Sequence, residues 1–209
     1  MRLAIVGAGN VGAALGRGWV RAGHDVVFGV RDPDHAKTTA LLADMRGARA
    51  DTVADAVRGA DVVILATPWA AVRDALQSAG DLRGRVVLDC TNPVTDDLQG
   101  LAVGLTTSGG EQVAAWATGA RVVKIFNTTG AANMADPRYP SGGATMLYCG
   151  DDADAKAVGA RLAADLGFAP IDAGRLREAR FLEPFTLMWI HLAVFQKLGT
   201  DFVFNLVRR

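Results

Sequence analysis

The feature that most constrains this chain is the glycine-rich turn Gly7-Ala8-Gly9-Asn10-Val11-Gly12. It follows the apolar run LAIV and opens a helical segment of mainly small residues. Glycines at this spacing between a strand and a helix are typical of dinucleotide-binding folds. Gly7 permits the tight turn, Gly9 lets the backbone approach a pyrophosphate, and Gly12 lets the helix pack closely on the strand. We therefore predict that the backbone amides of this turn and the helix dipole bind phosphate groups.

Short apolar runs alternate with helical patterns along all 209 residues. This alternation predicts an α/β fold in which helices cover both faces of the sheet. We expect a Rossmann-type, doubly wound, mainly parallel sheet of about eight strands, in a single domain over residues 1–209 with a C-terminal helical cap. Loops are predicted at 91–110 and 127–143, and a final helix at 180–198. Ser108 and Glu111 have capping-box spacing before a helix that ends at Ala117. Thr52 or Asp51 could cap a helix at 53–58, and Asp151 or Asp152 one at 153–166. The clearest strand patterns lie at 3–6, 25–30, 61–66, 86–90, 121–126, 144–149 and 168–172.

Composition narrows the partners that we expect. Acidic and basic residues balance at 22 each, so there is no net field to attract nucleic acid or an anionic membrane. The most apolar segment, 185–195, is shorter than the ~20 residues that a membrane span needs. Cys90 and Cys149 end apolar runs and are predicted to be buried free thiols, with no spacing for a metal site. We expect a cytoplasmic protein with a small-molecule partner.

The end of the second predicted strand bears on the choice between NADP and NAD. Arg31 lies at the strand tip and Lys37 follows on a helix start. A guanidinium there can bind a 2′-phosphate through charge-assisted hydrogen bonds, which favours NADP(H). Asp32 points the other way, because an acidic residue here often binds the ribose 2′-hydroxyl of NAD. Asp32 precedes Pro33 and is also suited to a turn.

Polar residues follow three of the later strands, at the edge where ligands bind in open α/β sheets. Thr67, Asn92 and Asn127 could hydrogen-bond a nicotinamide carboxamide or a ribose, or instead cap a helix or close a turn. No side-chain pair suited to acid–base catalysis stands out. His191 lies on the apolar C-terminal helix, where we expect a core or interface position. Hydride exchange between two bound ring cofactors needs alignment and exclusion of water more than a proton donor.

Together these segments resemble the reductases that transfer hydride between the deazaflavin coenzyme F420 and NADP. The cytoplasmic domains of the STEAP metalloreductases are also similar. The matching segments are GAGNVG, GVRD, TPW, the NP after VVLDC, VVKIFN, CGDD and PIDAG, in this order along most of the chain. Two positions depart from the deazaflavin reductases, which tend to have His where Asn127 stands and a small hydroxyl residue where Val30 stands. A flavin partner, or no second cofactor, therefore stays open.

The resemblance implies roles for particular residues, and an NADP-dependent oxidoreductase that transfers hydride to or from a deazaflavin or flavin. Gly7, Gly9, Asn10, Val11 and Gly12 would hold the pyrophosphate, and Arg31 with Lys37 the 2′-phosphate. Thr67, Pro68 and Trp69 would border the nicotinamide ribose, while Asn92, Pro93, Asn127 and Thr128 would line the hydride-transfer cleft. An NADP(H) sensor without turnover is the alternative, because a fold does not fix a function.

The C-terminal segment FLEPFTLMWIHLAVFQKLGTDFVFNL is apolar almost all round. A helix of this kind has to bury itself, either in its own domain or against a second subunit. Left exposed, it would form an apolar patch prone to aggregation. We expect residues 180–209 to form the interface of a homodimer.

Overall fold

The computed structural model describes residues 1–140, 142–207 and 209, and a central eight-stranded sheet dominates it. The strand order is β10-β9-β6-β5-β4-β1-β2-β3, and β7 pairs with β8 in a separate hairpin. Every neighbouring pair in the large sheet is parallel except β6 and β9. The strands are β1 (Arg2–Val6), β2 (Asp25–Val30), β3 (Arg49–Thr52), β4 (Val62–Leu65), β5 (Val86–Asp89), β6 (Arg121–Lys124), β7 (Arg138–Tyr139), β8 (Gly142–Gly143), β9 (Thr145–Gly150) and β10 (Ala169–Asp172).

Helices connect the strands and cover both faces of the sheet. Two short 3-10 turns, Trp69–Ala71 and Leu176–Glu178, precede α4 and α8, and a π-helical segment, His191–Phe195, follows α8. The helices are α1 (Asn10–Arg21), α2 (Ala36–Ala43), α3 (Val53–Arg58), α4 (Val72–Ala79), α5 (Gly109–Trp116), α6 (Ala131–Ala135), α7 (Ala153–Asp165) and α8 (Ala179–Ile190).

Alternating side chains of the strands supply two apolar layers, as the pleat of a β-strand requires. On β1, Leu3 and Ile5 join the core formed with α1 and α7, whereas Ala4 and Val6 join the core formed with α3, α4 and α5. Both faces of the strand are therefore buried in apolar cores, which explains why the strand sequences are continuous hydrophobic runs. The predicted fold class, a doubly wound and mainly parallel sheet of eight strands, is confirmed.

The contact between α1 and β1 is unusually close. A Cβ atom added to Gly12 would lie 2.1 Å from the carbonyl oxygen of Gly7, and one added to Gly16 would lie 2.5 Å from the ring of Phe28. Only glycine fits at Gly12, because its neighbour is backbone and cannot move aside. Helix α1 therefore begins directly over the end of β1.

Predicted helix starts agree with the observed caps. The hydroxyl of Thr52 accepts from Asp55 N, and the carboxylate of Asp152 accepts from Ala155 N. Ser108 and Glu111 form the predicted capping box at the start of α5. Cys90 and Cys149 are buried free thiols, as predicted.

Three predicted segments differ from the structure. Arg49–Thr52 is an edge strand that the sequence did not indicate, because three of its four residues are polar and none is buried. The loop predicted at 127–143 contains α6 and the β7–β8 hairpin, with Ser141 outside the described residues. The final helix is α-helical only to Ile190, and His191 in the π segment is exposed instead of packed in the core.

Helix α8 packs against α5 and β9, and the tail packs against α8 in turn. Arg180 donates two hydrogen bonds to Glu111, of 2.8 and 2.6 Å, which joins α8 to α5. The indole of Trp189 stacks on Phe202 at 5.2 Å and donates to its carbonyl oxygen.

Within the described ranges, no helix combines the length and the apolar character that crossing a membrane would require.

The contacts of the glycine turn make a prediction about stability. Gly12→Ala should destabilise the fold by several kcal/mol, because the added methyl group forces α1 away from β1. Gly9→Ala is the matched control, since an added Cβ there meets nothing within 4 Å and the φ angle of −75° suits alanine. Urea denaturation of both variants would measure the difference. Equal stability of the two variants would contradict the close packing of α1 on β1.

Candidate functional site

The carboxyl ends of four adjacent strands, β6, β5, β4 and β1, meet at one edge of the sheet. The strand order reverses at β1. The chain adds β2 and β3 on one side of β1 and then crosses over to add β4 on the other side. A crevice forms at such a switch point, and ligands of open α/β sheets bind there. The predicted site residues all follow the ends of these strands or of β2, so the topology brings their backbones to this edge.

The glycine turn gives this edge an anion-binding character. Gly7 has a φ angle of +108°, which a residue with a side chain rarely adopts, and this turns the chain from β1 into α1. Gly9 is the N-cap of α1, and no side chain in the described part of the protein caps the helix there. Gly9 and Asn10 are exposed. The first turn of α1 also contains no acidic residue, so its amides and partial positive charge remain available to an anion.

Two exposed cations lie beyond the end of β2, on the adenosine side of a site of this type. Arg31 and Lys37 both have exposed side chains. Asp32 accepts a hydrogen bond of 3.1 Å from Asp34 N, so this carboxylate closes a turn. The ring of His35 accepts from Lys37 N and caps α2. The turn interpretation of Asp32 accounts for its hydrogen bond.

Thr67, Pro68 and Trp69 follow β4 and lie between the glycine turn and the end of β5. A Cβ atom on Gly7 would be 3.2 Å from Thr67 Cγ2, so Thr67 borders the turn. Its Oγ1 is buried and has no hydrogen-bond partner among the described residues. The ring of Trp69 packs on Trp116 with centroids 5.5 Å apart, and Pro68 is exposed. A buried hydroxyl without a partner is costly, which suggests that a ligand atom satisfies it.

Asn92 and Asn127 form a reciprocal pair across the ends of β5 and β6. Asn92 Nδ2 donates to Asn127 O at 3.1 Å, and Asn127 Nδ2 lies 3.2 Å from Asn92 Oδ1. Asn127 Nδ2 also lies within 3.2 Å of Leu182 O and Thr186 Oγ1 on α8. Asn127 Oδ1 is buried and accepts no hydrogen bond from any residue in the described ranges. The pair thus presents an unused acceptor at the strand edge.

The backbone before Asn127 is strained. Phe126 has a φ angle of +59° although it is not glycine, and its side chain is fully buried. Its ring packs edge-on against Trp19 at 5.6 Å and Phe168 at 6.2 Å. A left-handed conformation costs a residue with a side chain roughly 1–2 kcal/mol. Core packing of the ring offsets that cost and fixes the direction in which the chain leaves β6, so the position of Asn127 is set by the core.

Thr128 follows Asn127 in the chain and borders a cavity. It is buried, with Oγ1 4.0 Å from the sulfur of Met146. Together with Thr129, Phe185 and Phe204 it lines a cavity of about 340 Å³ between the sheet edge and the C-terminal tail. The two phenylalanine rings of that cavity are 4.7 Å apart. Pro93 is buried close to Trp69, since both rings approach the start of α5 at Gly109.

A cluster of three buried charged residues lies behind this edge, and we call it the Lys124 cluster: Lys124, Asp89 and Glu183. Lys124 Nζ is 3.0 Å from Asp89 Oδ2 and 3.1 Å from Glu183 Oε1, and it also donates to Thr91 O. All three side chains are essentially inaccessible to solvent. The net charge of −1 is partly offset by the N-terminus of α5, whose first two amides donate to Glu183.

The Lys124 cluster is not suited to acid–base chemistry. Burial acts to lower the pKa of Lys124, but the two carboxylates outweigh it and raise that pKa above the usual value. The ammonium group therefore stays protonated, and its bonds to three oxygens leave it unable to exchange a proton with a substrate. The sequence analysis missed this cluster. The available signal was a single charge inside each of three strongly apolar runs, VVLDC, VVKIF and FLEPF.

Comparisons with known proteins agree with the geometry. The family described as coenzyme F420-dependent NADP oxidoreductase matches residues 2–93. F420-dependent NADP reductase from Methanothermobacter thermautotrophicus is 31% identical over 93% of this chain and 90% of its own length. Metalloreductase STEAP3 from Rattus norvegicus is 29% identical over 89% of this chain, which spans only 36% of that protein.

A solved structure extends the likeness to the whole fold. The crystal structure of a candidate F420-dependent NADP reductase from Arthrobacter sp. FB24 superimposes with a TM-score of 0.90 and 33% identity, covering 100% of both chains. The resemblance inferred from the sequence motifs is thus confirmed over almost the full length. On this identity and coverage, the protein belongs to the F420-dependent NADP reductase family.

Proposed function

We propose that this protein is an NADP(H)-dependent oxidoreductase that exchanges hydride between NADP(H) and a deazaflavin or flavin acceptor. The observation that carries the proposal is the uncapped start of α1, which follows the glycine turn at the switch point of the sheet. A helix start of this kind favours a pyrophosphate. The names of the relatives, which are NADP reductases, support the same assignment.

The residues present fit NADP(H) from one end to the other. Arg31 and Lys37 would bind the 2′-phosphate, since both are exposed cations at the end of β2. Gly9, Asn10 and Val11 would hold the pyrophosphate at the start of α1, beside the buried Gly7–Gly12 contact. The adenosine half and the central pyrophosphate therefore have groups of the appropriate chemistry.

Two buried polar atoms without partners suit the nicotinamide half. Thr67 Oγ1 can bond a ribose hydroxyl, and Asn127 Oδ1 can accept from the carboxamide N–H. Pro68, Trp69 and Pro93 would border the same half of the cofactor, because they follow β4 and β5 at that edge. Bound there, NADPH supplies the hydride. The chain itself aligns the two rings and excludes water from the cleft.

The acceptor ring would lie next to Asn127 and Thr128. The cavity beside Thr128 is mainly apolar and contains Phe185 and Phe204, which can pack on a planar ring. Lys124, which is buried nearby and paired with two carboxylates, is not the donor of the proton that accompanies reduction of a deazaflavin. Positioning, and not acid–base catalysis, is thus the proposed source of the rate enhancement.

We also propose that the protein forms a homodimer through residues 180–209. One side of α8 and the π segment exposes Phe181, Met188 and Phe195, at 69%, 53% and 40% of their accessible surface. Leu198 and Val207 of the same C-terminal segment are also exposed apolar residues. A self-complementary patch is covered most simply by its own copy across a two-fold axis. His191 lies in the same exposed stripe and would then be an interface residue.

Acceptor specificity tests the proposed reaction. Oxidation of NADPH, followed at 340 nm, should be fast with coenzyme F420 or flavin mononucleotide and slow with a ferric chelate offered without either. Tight NADPH binding with no turnover on any acceptor would indicate an NADP(H) sensor instead. Failure to bind either nicotinamide nucleotide at millimolar concentration would remove the assignment altogether.

Arg31 tests the choice of nucleotide. Arg31→Ala should weaken NADPH binding relative to NADH by on the order of 2 kcal/mol, because one charge-assisted contact to the 2′-phosphate is lost. Arg46→Ala is the control, an exposed cation beyond the end of α2. Isothermal titration with both nucleotides gives the ratio. An equal loss for NADH and NADPH would contradict a role for Arg31 in 2′-phosphate recognition.

Light scattering tests the dimer. The wild-type chain should elute at twice its chain mass at micromolar concentration, and Met188→Asp should shift it to the monomer by placing a charge in the apolar stripe. Arg161→Asp on α7 serves as a control for charge alone. A wild-type protein that is monomeric at micromolar concentration would rule out this interface.

A further inference from the structure

Glu183 is the point where the Lys124 cluster connects to α8. Its Oε1 forms an ion pair with Lys124 Nζ at 3.1 Å and accepts from Gly110 N at 2.9 Å, and its Oε2 accepts from Gly109 N at 2.8 Å. The side chain is fully buried, so water does not compete for these bonds. Three donors on two different elements, β6 and α5, therefore fix both the height and the rotation of α8 above the sheet edge.

The residues of α8 on either side of Glu183 hold the amide of Asn127. Leu182 O and Thr186 Oγ1 lie 3.2 and 3.1 Å from Asn127 Nδ2, and Thr186 Oγ1 in turn donates to Asn127 O at 2.7 Å. These acceptors select one of the two orientations of the amide. In that orientation Nδ2 faces α8, and Oδ1 is left as the buried acceptor without a partner in the described chain.

We propose that Glu183 is a positioning residue for nicotinamide recognition, acting through α8 to hold Asn127 Oδ1 toward the carboxamide of the cofactor. This inference rests on the proposed function, since it requires that the nicotinamide half occupies the cleft at Asn127. If α8 loses its ion pair with Lys124, only Asn92 Oδ1 still holds the Asn127 amide, which can then turn its N–H group toward the carboxamide N–H. Binding of the nicotinamide half then weakens, whereas the adenosine half is unaffected.

Asp89 provides a matched comparison. It pairs with the same Nζ at 3.0 Å and is equally buried, but it lies on β5 and its other bonds go to Thr91. Asp89→Asn and Glu183→Gln each remove one negative charge from the Lys124 cluster, and each leaves Lys124 paired with one carboxylate. Only Glu183→Gln alters the connection to α8. A difference in ligand affinity between the two variants therefore reflects the position of α8 and not the charge of the Lys124 cluster.

The test is the affinity for NADPH compared with that for 2′,5′-ADP, which carries the 2′-phosphate but no nicotinamide. Glu183→Gln should weaken NADPH binding about fivefold to tenfold, as expected for one misplaced hydrogen bond, and leave 2′,5′-ADP unchanged. Asp89→Asn should stay within about twofold of wild type for both ligands. Thr186→Val, which removes the bond to Asn127 without changing any charge, should reproduce the effect of Glu183→Gln and keeps the test decisive if the buried charge variants fold poorly.

Several results would overturn the inference. Unchanged NADPH affinity in Glu183→Gln or Thr186→Val would remove the link through α8. A parallel loss of 2′,5′-ADP would indicate general damage to the fold, and an equal loss in Asp89→Asn would indicate an effect of charge. A wild-type protein that binds neither ligand would instead remove the proposed function, and the positioning role with it.

Discussion

The backbone contact between Gly12 and Gly7 is the constraint on which the rest of the structure depends. Because no side chain fits between Gly12 and the carbonyl oxygen of Gly7, α1 starts directly over the end of β1. β1 lies between β4 and β2, so this start also marks the point where the strand order reverses. The positive end of the helix and the crevice of the sheet consequently coincide. Every other group of the proposed site is placed relative to this point.

From the switch point the edge changes in character along the sheet. Toward β2 it is exposed and cationic, with Arg31 and Lys37 in contact with solvent. Toward β5 and β6 the edge is largely buried. The uncharged Asn92–Asn127 pair lies there, with the buried Lys124 cluster behind it. Solvated cations suit a phosphate that brings its own charge, whereas fixed amide dipoles suit an uncharged carboxamide. This gradient matches the two halves of a nicotinamide dinucleotide.

The sequence predicted what depends on local pattern and missed what depends on tertiary contacts. The GxGxxG spacing, the Ser108–Glu111 capping box and the apolar strands are local, and they identified the fold and the caps correctly. The strand Arg49–Thr52 was missed because its pairing with β2, and not its polar composition, makes it a strand. The Lys124 cluster joins residues 89, 124 and 183, and no spacing rule connects them. The resemblance to a family predicted which residues line a cleft, but not which way the amide of Asn127 faces.

The buried charges explain how a site without acid–base groups can still be specific. A buried lysine with two carboxylates contributes little net stability compared with apolar residues, but it defines a single arrangement of its partners. Here Glu183 joins α8, which contains Thr186, to α5 and to β6, the strand that leads to Asn127. The strained φ angle of Phe126 also fixes the position of Asn127. Packing of the Phe126 ring in the core holds the backbone in this unfavourable conformation just before Asn127. The proposed hydride transfer between two rings depends on alignment, so we infer that rigidity of this edge takes the place of a catalytic side chain.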